Sequence, residues 1–504
     1  MNRKYAAKAK KFKKKLAKRL RGPAKTGGPM GPVMSGSNIH YEIADKVNAI
    51  GCGGIGVIHM LSQWTGLIEG LDSELQILKR NLPYHDSDHV LNLCYNVLCG
   101  GVCLEDIESR REDVHYLDAL GAERVPDPTT SGDYLRRFEQ AEDVSRLMDI
   151  INHSRQRVWE VQPEGFLEEA YIDGDGTIAS TQAECKDGVT MSYKGIWGYH
   201  PLIISLANTK EVLYVVNRPG NKKSSEGAAQ WYDKAIELVR GHSKKICLRG
   251  DTDFSQTTHL DRWNKHGIRF IFGYDAKPNI KEQAESLPEK EWRQLERVPK
   301  YEIKTRPRRK AVRHKEQIVE EKGYRNIKLA GEDIAEFEYK PGACKRPYRM
   351  IVVRKNLTIK KGEKALIDDE RYFFYITNRR DLEAEEIVGL ANQRCDQENV
   401  IEQCKNGVNA MRLPAGELES NWAYMVIAIL AWNLKAWYGL MMEDEDKGQL
   451  IVRMEFRRFL NNLVMIPAQI VKTGRRIVYR ILNWNEWTCA MLGTWWKLKR
   501  SGAT

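Results

Sequence analysis

The sequence predicts an α/β protein in which a mixed sheet is flanked by helices. Residues 43–165 have the hydrophobic spacing of helices, and residues 169–273 alternate short apolar runs with helical segments. Residues 275–365 are highly charged and interrupt this alternation. The length of 504 residues suits several domains, and 42% hydrophobic with 29% charged residues is typical of a globular protein. The ten cysteines show no C-x-x-C pair and no zinc-module spacing.

The first segment, residues 1–41, is a basic arm followed by a linker rich in Gly and Pro. It holds twelve Lys and Arg and no acidic residue, so the rest of the chain has 68 of each sign (80 − 12 and 68 − 0). Phe12, Leu16 and Leu20 recur every fourth residue among the lysines. A helix that forms on an anionic surface and an unstructured solubilising tail both fit this pattern. No apolar signal-peptide segment follows the arm.

Residues 42–165 are predicted to form a helical, DNA-binding region. The candidate helices are 71–82, 88–99, 104–108, 113–120, 132–138 and 143–161. Residues 129–131, Thr-Thr-Ser, are typical of the cap that begins a helix, and exposed cations follow in 134–138. A helix-turn-helix and an ordinary helical bundle are both consistent with this region.

Residues 166–275 are predicted to form the first part of an α/β domain. The candidate strands are 169–175, 201–208, 212–217, 245–249 and 269–273, and the candidate helices are 228–240 and 259–266. An inserted, partly β module follows in 276–368. The domain resumes in 369–442, with a strand at 371–377 and a helix at 383–412.

The remaining residues, 443–504, are predicted to form a basic helical region. Trp484, Trp487, Trp495 and Trp496 lie among cations there, and both base stacking and ordinary helix packing fit this pattern. Just before this region, 424–442 is the most apolar long segment. Asn433 and Lys435 interrupt it, so it suits a buried helix better than a membrane span.

Acidic residues follow two candidate strands and lie on one candidate helix. Asp173-Gly-Asp-Gly-Thr177 ends one strand, Leu248-Arg-Gly-Asp-Thr-Asp-Phe254 ends another, and Glu398 lies on the helix at 383–412. Polar residues at the carboxyl ends of strands face the crevice where open α/β sheets bind ligands. Three converging carboxylates repel one another unless divalent cations lie between them, and oxygen ligands suit Mg²⁺ or Mn²⁺. Taken singly, each Asp is better explained by a strand-end turn.

These motifs together resemble the DDE transposases of bacterial insertion sequences. The resemblance rests on Asp175-Gly-Thr177, on Arg249-Gly-Asp-Thr-Asp-Phe254 and on Arg394-x-x-x-Glu398-x-x-x-x-x-x-Lys405. The third motif is similar to part of a tyrosine, arginine, glutamate, lysine signature shared by insertion sequence four and its relatives, including the thirteen-eighty family. The segment 217–221, Asn-Arg-Pro-Gly-Asn, is also similar to that group. The resemblance covers about 130–480. Ala391 stands at the signature's tyrosine position, which puts any contact made by that tyrosine in doubt.

The resemblance implies a ribonuclease-H-like catalytic domain with an insertion between the second Asp and the Glu. It implies that Asp175, Asp251 and Glu398 are the catalytic residues and bind two Mg²⁺ or Mn²⁺ ions. Arg394 and Lys405 would lie near DNA phosphates. The nearby alternatives for the three acids are Asp173, Asp253, Asp396 and Glu402. We prefer Asp175 because the family pattern is Asp-x-Thr, and Asp251 because it follows Arg-Gly.

The implied partner is double-stranded DNA, both the terminal repeats of the element and the target. The basic cluster 300–315 adds four candidate contacts: Arg306, Arg308, Arg309 and Lys310. We expect a homodimer assembled on DNA, without a membrane, in the bacterial cytoplasm with the nucleoid. The expected activity is metal-dependent cleavage and strand transfer. A non-enzymatic DNA-binding descendant and a nuclease that does not join DNA are the alternatives.

Overall fold

The computed structural model describes residues 47–80, 83–297, 314–323, 325–361, 364–474 and 476–501, together with 40–41 and parts of 7–18. Most of the basic arm lies outside the described residues. So do the four candidate DNA contacts Arg306, Arg308, Arg309 and Lys310.

The region before the large sheet is mainly helical, as the sequence predicts. Its helices are α1 (Ile55–Trp64), α2 (Leu67–Gly70), α3 (Asp86–Leu98), α4 (Glu108–Arg111), α5 (Val114–Leu120), α6 (Pro128–Leu135) and α7 (Ala141–Glu160). Helix α6 begins earlier than expected, because Asp127 rather than residues 129–131 caps it. The Asp127 carboxylate accepts a hydrogen bond from the Thr130 backbone N–H at 2.8 Å, and Pro128 occupies the first helical position.

A nine-stranded mixed sheet occupies the middle of the chain, in the order β10-β11-β12-β13-β9-β8-β2-β6-β7. The strands are β2 (Glu169–Gly176), β6 (Leu202–Leu206), β7 (Glu211–Val216), β8 (Lys245–Gly250), β9 (Arg269–Tyr274), β10 (Arg293–Gln294), β11 (Arg325–Tyr339), β12 (Tyr348–Lys361) and β13 (Lys364–Thr377). Short strands β3 (Ala179–Ser180), β4 (Thr190–Met191) and β5 (Trp197–Tyr199) form a separate sheet. This architecture confirms the predicted α/β class with a mixed sheet.

The direction of the strands places the carboxyl ends of β2 and β8 at the same edge. Strand β6 runs antiparallel beside β2 and β7 runs antiparallel beside β6, whereas β8 and β9 run parallel to β2. Helices α8 (Ala228–Arg240) and α9 (Thr257–Lys265) make the crossovers that parallel strands require. Helices α10 (Pro278–Glu285) and α11 (His314–Glu321) follow β9.

The charged segment after β9 extends the same sheet. Strands β11, β12 and β13 pair with one another along most of their length, and only residues 374–377 of β13 pair with β9. Strand β13 is therefore longer than the predicted strand 371–377. The three strands form a ribbon that continues the sheet beyond β9.

The prediction of a wholly helical C-terminal region is wrong for residues 468–481. They form a hairpin of β14 (Ala468–Thr473) and β15 (Arg476–Ile481), and β14 also pairs with β1 (Ala49–Ile50). Several β-branched residues on both sides of Gly474 favour this hairpin over a helix. The chain just after β1 also packs against the chain just before β14. This contact requires glycine at position 54, because a Cβ there would lie 1.8 Å from the Leu463 carbonyl oxygen.

Five further helices follow β13 along the chain. They are α12 (Ala384–Gln393), α13 (Cys395–Glu402), α15 (Glu445–Arg453), α16 (Phe456–Phe459) and α17 (Thr488–Ser501). The long helix α14 (Leu418–Leu440) packs against β7 of the sheet and against α3, α7 and α15, and every residue from 420 to 440 is buried. This confirms the buried helix predicted for 424–442.

The two polar residues inside α14 are tolerated because their hydrogen bonds are satisfied. The Lys435 ammonium donates to the carbonyls of Val452 at 2.9 Å and Met454 at 2.7 Å, at the end of α15. The Asn433 amide makes two hydrogen bonds with the backbone of Val212. Within the described residues, no helix is long and apolar enough to cross a membrane.

A buried ion pair joins the N-terminal helices to the sheet. The Glu211 carboxylate, at the start of β7, accepts hydrogen bonds from Arg155 of α7 at 2.8 Å and from the indole N–H groups of Trp159 at 3.0 Å and Trp437 at 2.7 Å. Arg155 and Glu211 are both fully buried. Three elements, α7, β7 and α14, are therefore fixed to one carboxylate.

Candidate active site

Asp175 and Asp251 lie beside each other at the carboxyl edge of the sheet. Asp173 of β2 is paired with Arg249 of β8 in parallel register, so the residues two positions further along each strand are neighbours. Burial, together with the negative charge of Asp251, raises the pKa of Asp175 to about 6. Burial also raises the pKa of Asp251, and the charge of Asp253 adds to this effect.

Arg394 extends between these two carboxylates. Its Nη1 lies 3.2 Å from Asp175 Oδ2, and both side chains are mostly buried, with exposed fractions of 20% and 17%. Burial lowers the pKa of Arg394, but the charges of Asp175 and then Asp251 outweigh burial and raise it. The single positive charge of Arg394 thus acts on two carboxylates. It does not balance their combined negative charge.

The alternative residue Asp173 is fully engaged inside the protein. Both of its oxygens accept hydrogen bonds from Arg249, at 2.7 and 2.8 Å, and the pair is buried. Arg249 also donates to the Leu390 carbonyl of α12 at 2.9 Å. Asp173 therefore joins β2, β8 and α12, whereas Asp175 is left to face the cleft.

The Asp251 carboxylate also shapes its own loop. One oxygen accepts a hydrogen bond from the Asp253 backbone N–H at 3.0 Å and so caps a short 3-10 turn at 252–254. Asp253 itself is exposed. This arrangement holds Asp251 at the cleft and directs Asp253 toward solvent.

Glu398 is exposed on α13. Its neighbour Gln397 is buried instead: the Gln397 side chain accepts a hydrogen bond from Ser205 and donates to the Ile203 carbonyl at 3.3 Å. In the part of the chain that the structure describes, no three His, Cys, Asp or Glu residues are close enough to hold one metal ion. The structure brings Asp175 and Asp251 together without Glu398, whose catalytic role stays a prediction.

The single helix predicted for 383–412 is broken at Arg394, between α12 and α13. A π-helical turn follows α13 at 403–407 and carries Lys405. Burial lowers the pKa of Lys405, with the charge of Lys194 adding to burial and that of Glu402 opposing it. Because of these interruptions, helical periodicity does not fix the relative directions of Arg394, Glu398 and Lys405.

The other acids on these helices have protein partners. Asp396 forms an ion pair with Lys210 at 2.7 Å, and Glu402 accepts a hydrogen bond from the Asn406 amide at 2.6 Å. Both acids are exposed.

The glycines beside Asp175 are required by the packing of the protein itself. A Cβ at Gly174 would lie 2.3 Å from the Tyr232 hydroxyl, and one at Gly176 would lie 2.9 Å from Nε2 of His200. His200 is buried, and its Nδ1 lies 2.7 Å from the Lys222 carbonyl oxygen. Sequence reasoning did not identify His200, which has no motif around it beyond its position just before β6.

Comparison with known proteins identifies the family of this chain. The chain matches the family model described as transposase DDE domain group 1 over residues 48–492. The cryo-EM structure of the piggyBac transposase synaptic complex with hairpin DNA is similar at a TM-score of 0.38 and 11% identity, covering 82% of this chain and 81% of that chain. No curated protein matches the chain. Because the family model spans most of the sequence, the chain belongs to the transposase DDE domain group 1 family and is a DNA transposase.

Proposed function

We propose that this transposase cleaves the phosphodiester bonds at the ends of its element and joins those ends to target DNA. Asp175, Asp251 and Glu398 are the proposed catalytic carboxylates. The observation that carries this proposal is the pairing of Asp175 with Asp251 at the carboxyl edge of two parallel strands, where open α/β sheets bind ligands.

The donor set of the cleft fits a divalent cation. Transposases of the DDE type generally use divalent metal ions. Two mostly buried carboxylates lie near one arginine, and burial raises the pKa of Asp175 despite that arginine. Asp175 and Asp251 would hold Mg²⁺ or Mn²⁺ ions, and Glu398, which lies apart from this pair in the structure, is the proposed third ligand. Bound ions of this kind activate a water or 3′-hydroxyl and stabilise the leaving oxygen.

The residues of the chain have distinct tasks in this proposal. Asp173 and Arg249 hold β2 and β8 in register, so that Asp175 and Asp251 stay adjacent. Arg394 partly neutralises the carboxylates in the metal-free protein. Its guanidinium is also a proposed contact for a DNA phosphate. Lys405 and the cluster Arg306, Arg308, Arg309 and Lys310 are further proposed phosphate contacts.

We assign the sheet around Asp175 to a ribonuclease-H-like catalytic domain. The support is its strand order, with β7, β6 and β2 antiparallel and β8 and β9 parallel to β2. The proposed divisions remain 42–165 for DNA binding, 166–275 and 369–442 for catalysis, 276–368 for the insertion and 443–504 for a basic region. We also propose that two copies assemble on DNA, in the bacterial cytoplasm at the nucleoid.

The test compares Glu398→Gln with Glu402→Gln, which removes the same charge one helical turn away. Cleavage and strand transfer are measured on element ends in Mg²⁺, and DNA affinity is measured separately. Glu398→Gln should nearly abolish cleavage while DNA binding persists, and Glu402→Gln should cleave normally. Normal cleavage by Glu398→Gln would remove Glu398 from the proposed site. Cleavage without joining by the wild type would identify a nuclease instead.

A further inference from the structure

A cavity of about 480 Å³ lies in the N-terminal helical region, between α3, α6 and the segment before α3. Its lining residues fall between positions 78 and 137, so none belongs to the strands that carry Asp175 and Asp251. Its size is that of a small-molecule site, since such pockets measure about 300–1,000 Å³. Neither the transposition chemistry nor the family assigns it a role here.

The wall of the cavity contains fixed aromatic rings. His89 stacks on Tyr134 with ring centres 4.3 Å apart and planes 4° apart, and Tyr84 meets His89 edge-on at 5.6 Å. The Tyr134 hydroxyl donates to Asp86 at 2.8 Å, and the Tyr84 hydroxyl donates to the Val125 carbonyl at 3.1 Å. The rings are therefore held in place before any ligand arrives, which reduces the entropy lost on binding.

The rim of the cavity is positively charged. Lys79, Arg80 and Arg137 line it and are exposed, so their charged groups reach solvent. The acid among the lining residues is Asp133, which already forms an ion pair with Arg136 at 2.7 Å. The net field at the mouth therefore attracts anions.

The ring behind the aromatic wall is buried and neutral. His89 is only 4% exposed, and its Nδ1 has no hydrogen-bond partner among the described residues. Burial, together with the positive charge of Arg137, lowers the pKa of His89 to about 4, so the ring is neutral at pH 7. The aromatic wall therefore carries no charge, and the positive charge of the site is confined to its rim.

We propose that this cavity binds one unpaired nucleotide, with its phosphate on Lys79, Arg80 and Arg137 and its base against the half-buried ring of Tyr84. An aromatic wall behind a cationic rim suits a ligand with both a phosphate and a flat face. Bases stacked in a duplex present no free face, whereas an unpaired nucleotide does. The nucleotide belongs either to a single-stranded stretch of DNA or to a free mononucleotide.

The experiment uses the full chain in EDTA, so that the result does not depend on the proposed metal site. Thymidine 5′-monophosphate, inorganic phosphate and a short oligothymidylate are titrated by calorimetry. Arg137→Ala should weaken binding of the nucleotide probes about tenfold, because a charge-assisted hydrogen bond is lost. Tyr84→Leu should weaken it about fivefold or more through lost stacking. The control Arg240→Ala, which removes an exposed arginine outside the cavity lining, should bind normally. Tyr84→Phe, which keeps the ring but loses its hydrogen bond to Val125, should weaken binding less than Tyr84→Leu.

The probes separate the two sources of the nucleotide. Monophosphate binding that depends on Arg137 and Tyr84 supports a free nucleotide, and oligothymidylate binding alone with the same dependence supports a DNA strand. The proposal is overturned if neither probe saturates at millimolar concentration. It is also overturned if inorganic phosphate binds as tightly as the monophosphate, or if Arg137→Ala and Arg240→Ala have equal effects. Each of these failures leaves the assignment of Asp175 and Asp251 untouched.

Discussion

Replacing Asp175 by Asn should stabilise the metal-free transposase. The pKa of Asp175 is raised from its ordinary value of 3.8 to about 6, first by burial and then by Asp251, with Arg394 opposing. The native state therefore holds the proton more tightly than the unfolded state, and the free energy of unfolding falls as pH rises from about 4 to 6. Above about pH 6 the ionised Asp175 lowers the free energy of unfolding by the full amount, about 3 kcal/mol. Asn carries no charge and removes this cost.

The expected signal is a higher thermal midpoint in EDTA. For a cooperative unit of about 250 residues, 3 kcal/mol corresponds to about 6 °C at neutral pH. The difference from wild type should shrink to about half at about pH 5, where wild-type Asp175 is largely protonated. Added Mg²⁺ should stabilise the wild type more than the variant.

Scanning calorimetry with Asp396→Asn as the control tests this reasoning. Asp396 is an exposed carboxylate paired with Lys210, so its loss should not raise the midpoint. A lower midpoint for Asp175→Asn in EDTA at neutral pH would refute the argument. A difference in thermal midpoint between Asp175→Asn and wild type that does not change with pH would also refute it.

Three further predictions concern the core and DNA binding. Glu211→Gln leaves the buried Arg155 charge uncompensated and should lower the free energy of unfolding by about 3–5 kcal/mol, measured as a lower thermal midpoint. The double variant Arg155→Met with Glu211→Gln should recover part of the lost stability, and no recovery would contradict the ion-pair argument. Removing residues 1–21 should weaken non-specific DNA binding and flatten its salt dependence, since each neutralised phosphate adds about −0.9 to the log–log slope; an unchanged slope would assign the arm to another partner. Arg394→Ala should weaken DNA affinity, measured by fluorescence anisotropy in Mg²⁺, and unchanged affinity would place Arg394 away from the DNA.

Much of the sheet could be predicted because its signals are local. Apolar runs that stop at acidic residues located β2 and β8, and parallel neighbours bring their carboxyl ends together. The buried helix α14 was equally clear, because an apolar segment that contains Asn433 and Lys435 suits a core better than a bilayer. These features depend on patterns within a few residues of each other.

The arrangement of the helix with Glu398 could not be predicted in the same way. The helix is interrupted at Arg394. The side chains of neighbouring helical residues point in directions about 100° apart, so a small change in the helix decides which of them faces the sheet. Gln397 rather than Glu398 therefore contacts β6. The buried pair of Asp173 and Arg249 was also invisible, since the sequence does not show which of two nearby acids is already neutralised.

The cavity and the three-stranded sheet of β1, β14 and β15 could not be predicted from the sequence, for a related reason. Tyr84, His89 and Tyr134 come from separate elements, and no spacing in the sequence links them. Strand β1 is two residues long and becomes recognisable only beside β14. Contacts between distant segments depend on the whole tertiary structure, which short-range periodicity does not encode.

The pairing of β1 with β14 has a consequence for how the protein is made. More than 400 residues separate the Ala49–Ile50 strand from its partner Ala468–Thr473. At about 5–20 residues per second, the ribosome takes roughly 20–80 s to deliver β14 after β1 has emerged. During that interval the backbone groups of β1 have no partner strand, while the nine-stranded sheet is synthesised. Interrupted synthesis therefore leaves an incomplete N-terminal region, whatever the state of the nine-stranded sheet.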